Sequence, residues 1–220
     1  MQIIIGRSKD FASAFENALA EYRYKIFIER LGWSLPVENG MERDQFDHPN
    51  TLYVVSRDTN GEICGCARLL PTTEPYLLSE VFPHMLNDAP IPRTRDVWEL
   101  SRFAASGANP NSTIDVATNT RNLLAATIQV AAKHGAKRLI FVTHMGAERL
   151  LIRMGVHAHR AGVPIVADGA RIVACWIEID EQTLRALDIP MNAASEARVT
   201  VQRKEPREVA RQLRGELMAG

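Results

Sequence analysis

The chain has no excess of either charge, few aromatics, only three cysteines and no apolar run long enough to cross a bilayer. Each shortage closes off a class of protein. With 26 basic and 26 acidic residues the formal net charge is zero, so no overall field draws it to nucleic acid or an anionic membrane. Any charged partner must therefore be met by a local patch. Three cysteines make no disulfide framework, and Cys64-x-Cys66 lies in an alternating apolar run, which turns both thiols to one face of a strand instead of around a metal. Buried, reduced thiols are expected. Met1-Gln2-Ile3-Ile4-Ile5 has neither a basic n-region nor a cleavage site behind it, and the expected location is cytoplasmic, with no membrane insertion.

What is present is an ordinary apolar content over 220 residues, enough for one packed core but not for two, so a single domain over residues 1–220 is expected. Residues 2–5 form a short β-branched run. Residues 8–31 then carry apolar side chains near helical spacing, and Gly32 ends them. Residues 33–50 read as a long loop whose Trp33, Met41 and Phe46 argue against disorder. Strands follow at 51–56 and 62–70 around an Asp58-Thr59-Asn60-Gly61 turn. Five prolines mark 71–95 as a surface excursion with a short helix, and 96–105 resumes as a strand. Helices at 115–134 and 147–154 flank a strand at 138–143; further strands are expected at 156–160, 163–167 and 171–179, and a terminal helix at 207–217. The order predicts a three-layer α/β sandwich with a mixed sheet.

Charges inside apolar strands need partners, because an unpaired buried charge costs several kcal/mol. Arg68 within Cys64–Leu70 and Glu99 within Val97–Phe103 are thereby expected to pair, either to set strand register or to serve a site. Arg23 and Phe27, four apart, share a helix face, and Asp44 and Asp47 follow in the loop.

In this order, Arg23-x-x-x-Phe27, Trp33 within Arg30-Leu31-Gly32-Trp33, Asp44-x-x-Asp47, Arg68 and Glu99-x-x-Arg102 resemble the shared signature of the bacterial acyl-homoserine-lactone synthases, the autoinducer synthases. The run Trp98–Phe103 is similar too, whereas the second half of the chain matches only in its order of elements. The resemblance implies a GNAT-like sandwich whose twisted sheet splays into a cleft, and a quorum-sensing signal synthase. It implies acyl carrier protein and S-adenosylmethionine as substrates, 5′-methylthioadenosine as a product, and neither metal nor resident cofactor. Glu99, Arg68 and Arg102 would be catalytic, and Arg23, Phe27, Trp33, Asp44, Asp47, Arg102 and Phe103 would bind S-adenosylmethionine.

The chemistry suits these residue types. Asp44 and Asp47 could orient the cationic amino-acid end, Trp33 offers a π face to a cation, and Arg23 and Arg102 could meet the carboxylate or organise the aspartates. A free α-amine, with a pKa of roughly 7.7 to 8.0, is mainly protonated at neutral pH and needs a base. Glu99 is the candidate, its rival role being structural pairing with Arg68 and Arg102.

An acyl chain needs apolar walls, for which Leu100, Leu123, Ile140, Val142, Thr143, Met145, Leu150, Met154 and Trp176 are candidates; Thr143 falls near a position linked in that family to a 3-oxo group. For an acidic carrier protein the one local excess of positive charge is Lys133, Lys137, Arg138, Arg149, Arg153 and Arg160 against Glu148, all but Arg160 forming the expected docking patch. Two other readings stand beside this one. A GNAT-type N-acyltransferase using acyl-CoA would share the fold, but no Gly-rich pyrophosphate turn opens a helix here. A non-catalytic binding module would keep the Arg–Glu pairs for structure alone.

Overall fold

A computed structural model describes residues 1–87, 89–106, 113–167 and 169–190; the helix expected at 207–217 lies outside them. The described elements are β1 (Gln2–Arg7), α1 (Ser13–Arg23), β2 (Val37–Glu38), β3 (Met41–Glu42), β4 (Leu52–Arg57), β5 (Ile63–Pro71), α2 (Leu77–Val81), β6 (Val97–Ala105), α3 (Thr113–Lys133), β7 (Arg138–His144), α4 (Met145–Arg153), β8 (Ala158–Arg160), β9 (Ile165–Ala167), β10 (Ala170–Glu178) and α5 (Glu181–Ala186). The main sheet runs β1-β4-β5-β6-β7-β10-β8, with β9 also on β10. Every pairing is antiparallel except β6 with β7. That parallel pair holds only from Val97↔Arg138 to Glu99↔Ile140, although both strands continue, so the sheet opens beyond Glu99.

Alternation along the strands sends side chains to two faces. Leu52, Val54, Ala67, Leu69, Trp98, Leu100, Leu139 and Phe141 pack with Leu123, Leu124 and Ile128 of α3. On the other face Ile4, Tyr53, Val55 and Cys66 meet Phe11, Phe15 and Leu19, while Leu70, Ile140 and Ala174 meet Tyr76, Leu78, Met85 and Leu86. The result is the expected three-layer sandwich. No helix among the described residues is long and apolar enough to cross a membrane.

Apart from α5, a helix that the sequence pattern does not predict, three segments differ from expectation. Residues 8–31 are not one helix: a 3-10 turn at Ser8–Asp10 precedes α1, and Tyr24–Arg30 widens into a π-helix, closed by an N–H of Leu31 on the carbonyl of Ile26, five back. The loop at 33–50 contains the ribbon β2–β3, turned at Asn39-Gly40 with both residues at positive φ, as a tight two-residue turn requires. Finally, β6 carries a bulge. Cys66 faces Ala104 and Arg68 faces Ser101, so Ala67 alone is opposed by Arg102 and Phe103.

Candidate active site

The bulge decides where Arg102 points. Before it Trp98 and Leu100 pack under α3; after it Phe103 and Ala105 do, so the alternation slips by one residue. Arg102 is the extra residue, with φ at 50°, and it joins Ser101 on the opposite face. The left-handed conformation costs a non-glycine residue on the order of 1–2 kcal/mol. The Cys66 thiol donates to the Arg102 carbonyl at 3.1 Å, and burial pushes that thiol up to about 12, keeping it a neutral donor.

On that face three guanidiniums and three carboxylates interlock. Arg23, from the end of α1, holds Glu42 through Nε at 2.6 Å and Asp47 through both Nη atoms at 2.8 and 2.9 Å. Arg68 of β5 grips Asp44 at 2.5 and 3.0 Å, reaches Asp47 at 2.8 Å, and donates Nε to Ser101. Arg102 donates to Glu42 and Asp44, both at 2.8 Å through Nη2. The phenol of Tyr53 donates to Asp47. All six charged residues are buried or nearly so. Burial alone would push Asp47 up, but Arg23 and Arg68 outweigh it and hold the carboxyl well below the usual range. Three positive and three negative formal charges cancel, so every buried charge has a hydrogen-bonded counter-charge.

Glu99 is not part of this exchange, and the expected Arg68–Glu99 pair does not form. Arg68 faces Ser101 across the strands, whereas Glu99 faces Leu70, two residues farther along. The Glu99 carboxylate instead accepts the N–H groups of Leu77 and Leu78 at the start of α2, at 2.9 and 2.7 Å. It is 1% exposed and sits at the last paired position before the sheet opens. Burial pushes it up to about 7, against the opposing pull of the Leu78 N–H, Arg68 and the Leu77 N–H.

Aromatic rings extend the site toward the opening. Phe27 stacks on Trp33 at 5.0 Å, Trp33 meets His144 at the end of β7 at 5.7 Å, and the Arg102 guanidinium lies 5.6 Å from the Phe27 ring. The structure thus gathers Arg23, Phe27, Trp33, Asp44, Asp47, Arg68 and Arg102 by direct contact, with Glu99 beside them. Phe103 is not among them, because the bulge sends it to the α3 face.

The expected acyl pocket does not assemble as one wall. Leu100, Leu123, Met145 and Met154 belong to the α3-side core, whereas Ile140, Val142 and Trp176 lie on the other face. Thr143 is half-buried and Leu150 exposed. Leu150 and Met154 do line an open cavity of about 560 Å³ with Arg30, Val116, Thr120 and Arg121. Nor do the docking residues form one patch. Arg138 turns to the face away from α4, over Trp176 and beside Glu178, while Arg149 and Arg153 stand exposed on α4. Glu148 is buried and taken by Arg160.

Sequence reasoning missed Glu42, Tyr53 and His144. For Glu42 a signal existed, since Asn39-Gly40 marks a hairpin whose second strand carries it.

The chain matches the family model described as autoinducer synthase over residues 9–187. It is 50% identical over 193 residues to an acyl-homoserine-lactone synthase of Ralstonia nicotianae, covering 86% of this chain and 95% of that one. A crystal structure of TofI in a ternary complex with an inhibitor and MTA superposes with a TM-score of 0.77 at 53% identity, over 88% of this chain and all of that one. The structure of BjaI, described as a CoA-dependent acyl-homoserine lactone synthase, with SAM and isopentyl-CoA, superposes at 0.74 with 26% identity, over 95% and 97% of the two chains. A GNAT-like sheet opened beside a buried charge network, and likeness over nearly the whole length of these relatives, place this chain in the autoinducer synthase family, the acyl-homoserine-lactone synthases.

Proposed function

We propose that the substrates are S-adenosylmethionine and an acyl thioester carried by acyl carrier protein, and that the products are an N-acyl-L-homoserine lactone, 5′-methylthioadenosine and the free carrier thiol. The observation that carries this reading is convergence. Residues scattered from 23 to 102 meet on one sheet face, beside the carboxyl group that burial has brought to about 7. The MTA bound in TofI and the SAM bound in BjaI support the same pair of small molecules.

The roles divide by what each side chain has left to offer. The oxygens of Asp44 and Asp47 are occupied by arginines, so these residues hold the guanidiniums in place more than they meet the substrate. Arg102 keeps Nη1 unpartnered among the described residues, placed for the substrate carboxylate. Trp33, half-buried, turns a ring face to a cation. Glu99, directly or through a water, takes a proton from the α-ammonium and passes it to solvent; the amine attacks the thioester carbon, the carbon–sulfur bond breaks, and the leaving thiolate takes the second proton, shed by the nitrogen as the amide forms, with Glu99 as the relay. The carboxylate oxygen then attacks the γ carbon and the sulfonium leaves as a neutral thioether, with no further proton needed.

The test mixes purified protein with S-adenosylmethionine and acyl carrier protein thioester and follows both products by mass spectrometry. Lactone and methylthioadenosine should rise together; methylthioadenosine without lactone, or neither, refutes the reading. BjaI favours a second donor, acyl-CoA. The ratio of kcat/KM for the two donors decides between them.

A further inference from the structure

Glu99 owes two hydrogen bonds to α2, a helix of five residues inside the proline-rich excursion between β5 and β6, anchored on one side by Leu78 in the core. A second hold on that excursion lies on its far side. The N–H of Phe82 donates to the carbonyl of Leu78 at 3.1 Å, and the N–H of Met85 to the carbonyl of Phe82 at 3.0 Å, so a backbone chain runs from the residue that binds Glu99 to Met85. The Met85 carbonyl is pressed against Gly162, in the connection between β8 and β9. A Cβ on Gly162 would stand 1.9 Å from that oxygen and 2.8 Å from Oδ1 of Asn87. Gly162 is thus a glycine for want of space, since its φ lies outside the left-handed region. Beside it Asn87, at φ 48°, accepts the N–H of Val163 through Oδ1 at 2.9 Å.

We infer that Gly162 and Asn87 are positioning residues for Glu99, clamping the far end of the excursion so that the N–H groups of Leu77 and Leu78 stay on the carboxylate. The inference rests on the reading of Glu99 as the proton acceptor. Other groups facing Glu99 are fixed independently of the clamp: Arg68 on β5 and Asp44 in the loop are bound to each other, and Tyr76, just before α2, donates to the carbonyl of Pro92. Ile140, opposite on β7, has no charge. Loosening the clamp therefore acts on the two N–H donors. Because those donors favour the ionised form, their loss moves the Glu99 midpoint upward.

The decisive measurement is titration of the Glu99 carboxyl carbon by 13C NMR in the ligand-free protein, with the resonance assigned by its absence in Glu99→Gln, alongside the pH profile of kcat/KM. Gly162→Ala should raise the midpoint and the acid limb together by about one pH unit, a fraction of a charge-assisted hydrogen bond. Asn87→Gly, which tolerates the same backbone but removes the acceptor, should shift both in the same sense by less. Asn87→Asp, which restores an acceptor, should bring them back. If Gly162→Ala does not fold, Asn87→Gly alone decides. A folded variant with an unmoved carboxyl midpoint overturns the clamp. By contrast, Glu99→Gln that keeps the acid limb overturns Glu99 as the base, while the carboxyl titration still scores the clamp.

Discussion

Two carboxylate settings lie on the same face of one sheet and behave oppositely. Asp47 and Glu99 are both buried, and burial by itself pushes each upward. Asp47 meets two guanidiniums and ends far below the usual range; Glu99 meets two backbone N–H groups and ends at about 7. Formal counter-charge, not hydrogen bonding alone, makes the difference. The first setting suits a scaffold that must stay ionised, and the second suits a group that must gain and lose a proton near neutrality.

Breaking the first setting should have the largest effect. Glu42→Ala removes the carboxylate shared by Arg23 and Arg102, leaving buried guanidinium groups short of counter-charge at a cost of roughly 3 to 5 kcal/mol. Urea unfolding should show that loss, and product formation should fall below detection; a stable, active Glu42→Ala would mean the network is decorative. The pH dependence has a sign. Asp47 is held below its unfolded value, so its contribution is present above the usual carboxylate range and is lost as pH falls through the folded value. Unfolding on acidification should therefore set in earlier in Arg23→Ala than in the parent.

The second setting has the opposite sign. Glu99 is raised from 4.5 to about 7, so its contribution is complete below 4.5 and is lost as pH climbs through 7. Glu99→Gln should flatten this decline, on the order of 2–3 kcal/mol across that interval, while removing the acid limb of turnover. Thermal midpoints between pH 4 and 8 check the first half of this statement. A decline as steep in Glu99→Gln as in the parent would place the responsible group elsewhere.

The contrast between the two settings was only partly legible in the sequence. The strands, α3 and the order of layers follow from apolar alternation and helical spacing, which act locally. The signature residues could be named as a set, but their pairing could not, because a one-residue bulge at Arg102 reverses which face each later side chain of β6 takes. That slip brings Arg102 into the network and carries Phe103 out of it. Glu42 sits on a strand of two residues, too short for alternation to register. The apolar candidates for the acyl chain divide between the two faces by the same alternation, which sends Leu100 of β6 to one core and Ile140 and Val142 of β7 to the other.

A milder test separates scaffold from contact. Trp33 stacks on Phe27 yet carries no charge and belongs to no ion pair. Trp33→Ala should therefore leave folding nearly intact while weakening S-adenosylmethionine by about tenfold, as the loss of one aromatic face implies. Calorimetry reads the affinity directly. An unchanged value would remove Trp33 from the substrate's surroundings.

The smallest effect on stability is expected where charge meets water. Arg149 and Arg153 are four apart on α4, exposed and without ion pairs among the described residues, in contrast to Arg160, which Glu148 already holds. Exposed charges of this kind contribute within about 0.5 kcal/mol to folding, so reversing both tests recognition almost alone. An acidic carrier protein approaching α4 would be steered by them, and its phosphopantetheine arm would enter beside Leu150 and Met154, which line the open cavity next to these arginines. Arg149→Glu with Arg153→Glu should raise the apparent KM for acyl carrier protein and reduce its salt dependence, while affinity for S-adenosylmethionine stays where it was. Arg138 should matter less, since it faces the other side of the sheet. A short acyl-pantetheine donor lacks the acidic surface and supplies the control. Equal losses with carrier and control would mean that α4 shapes the site itself, and the carrier would have to dock elsewhere.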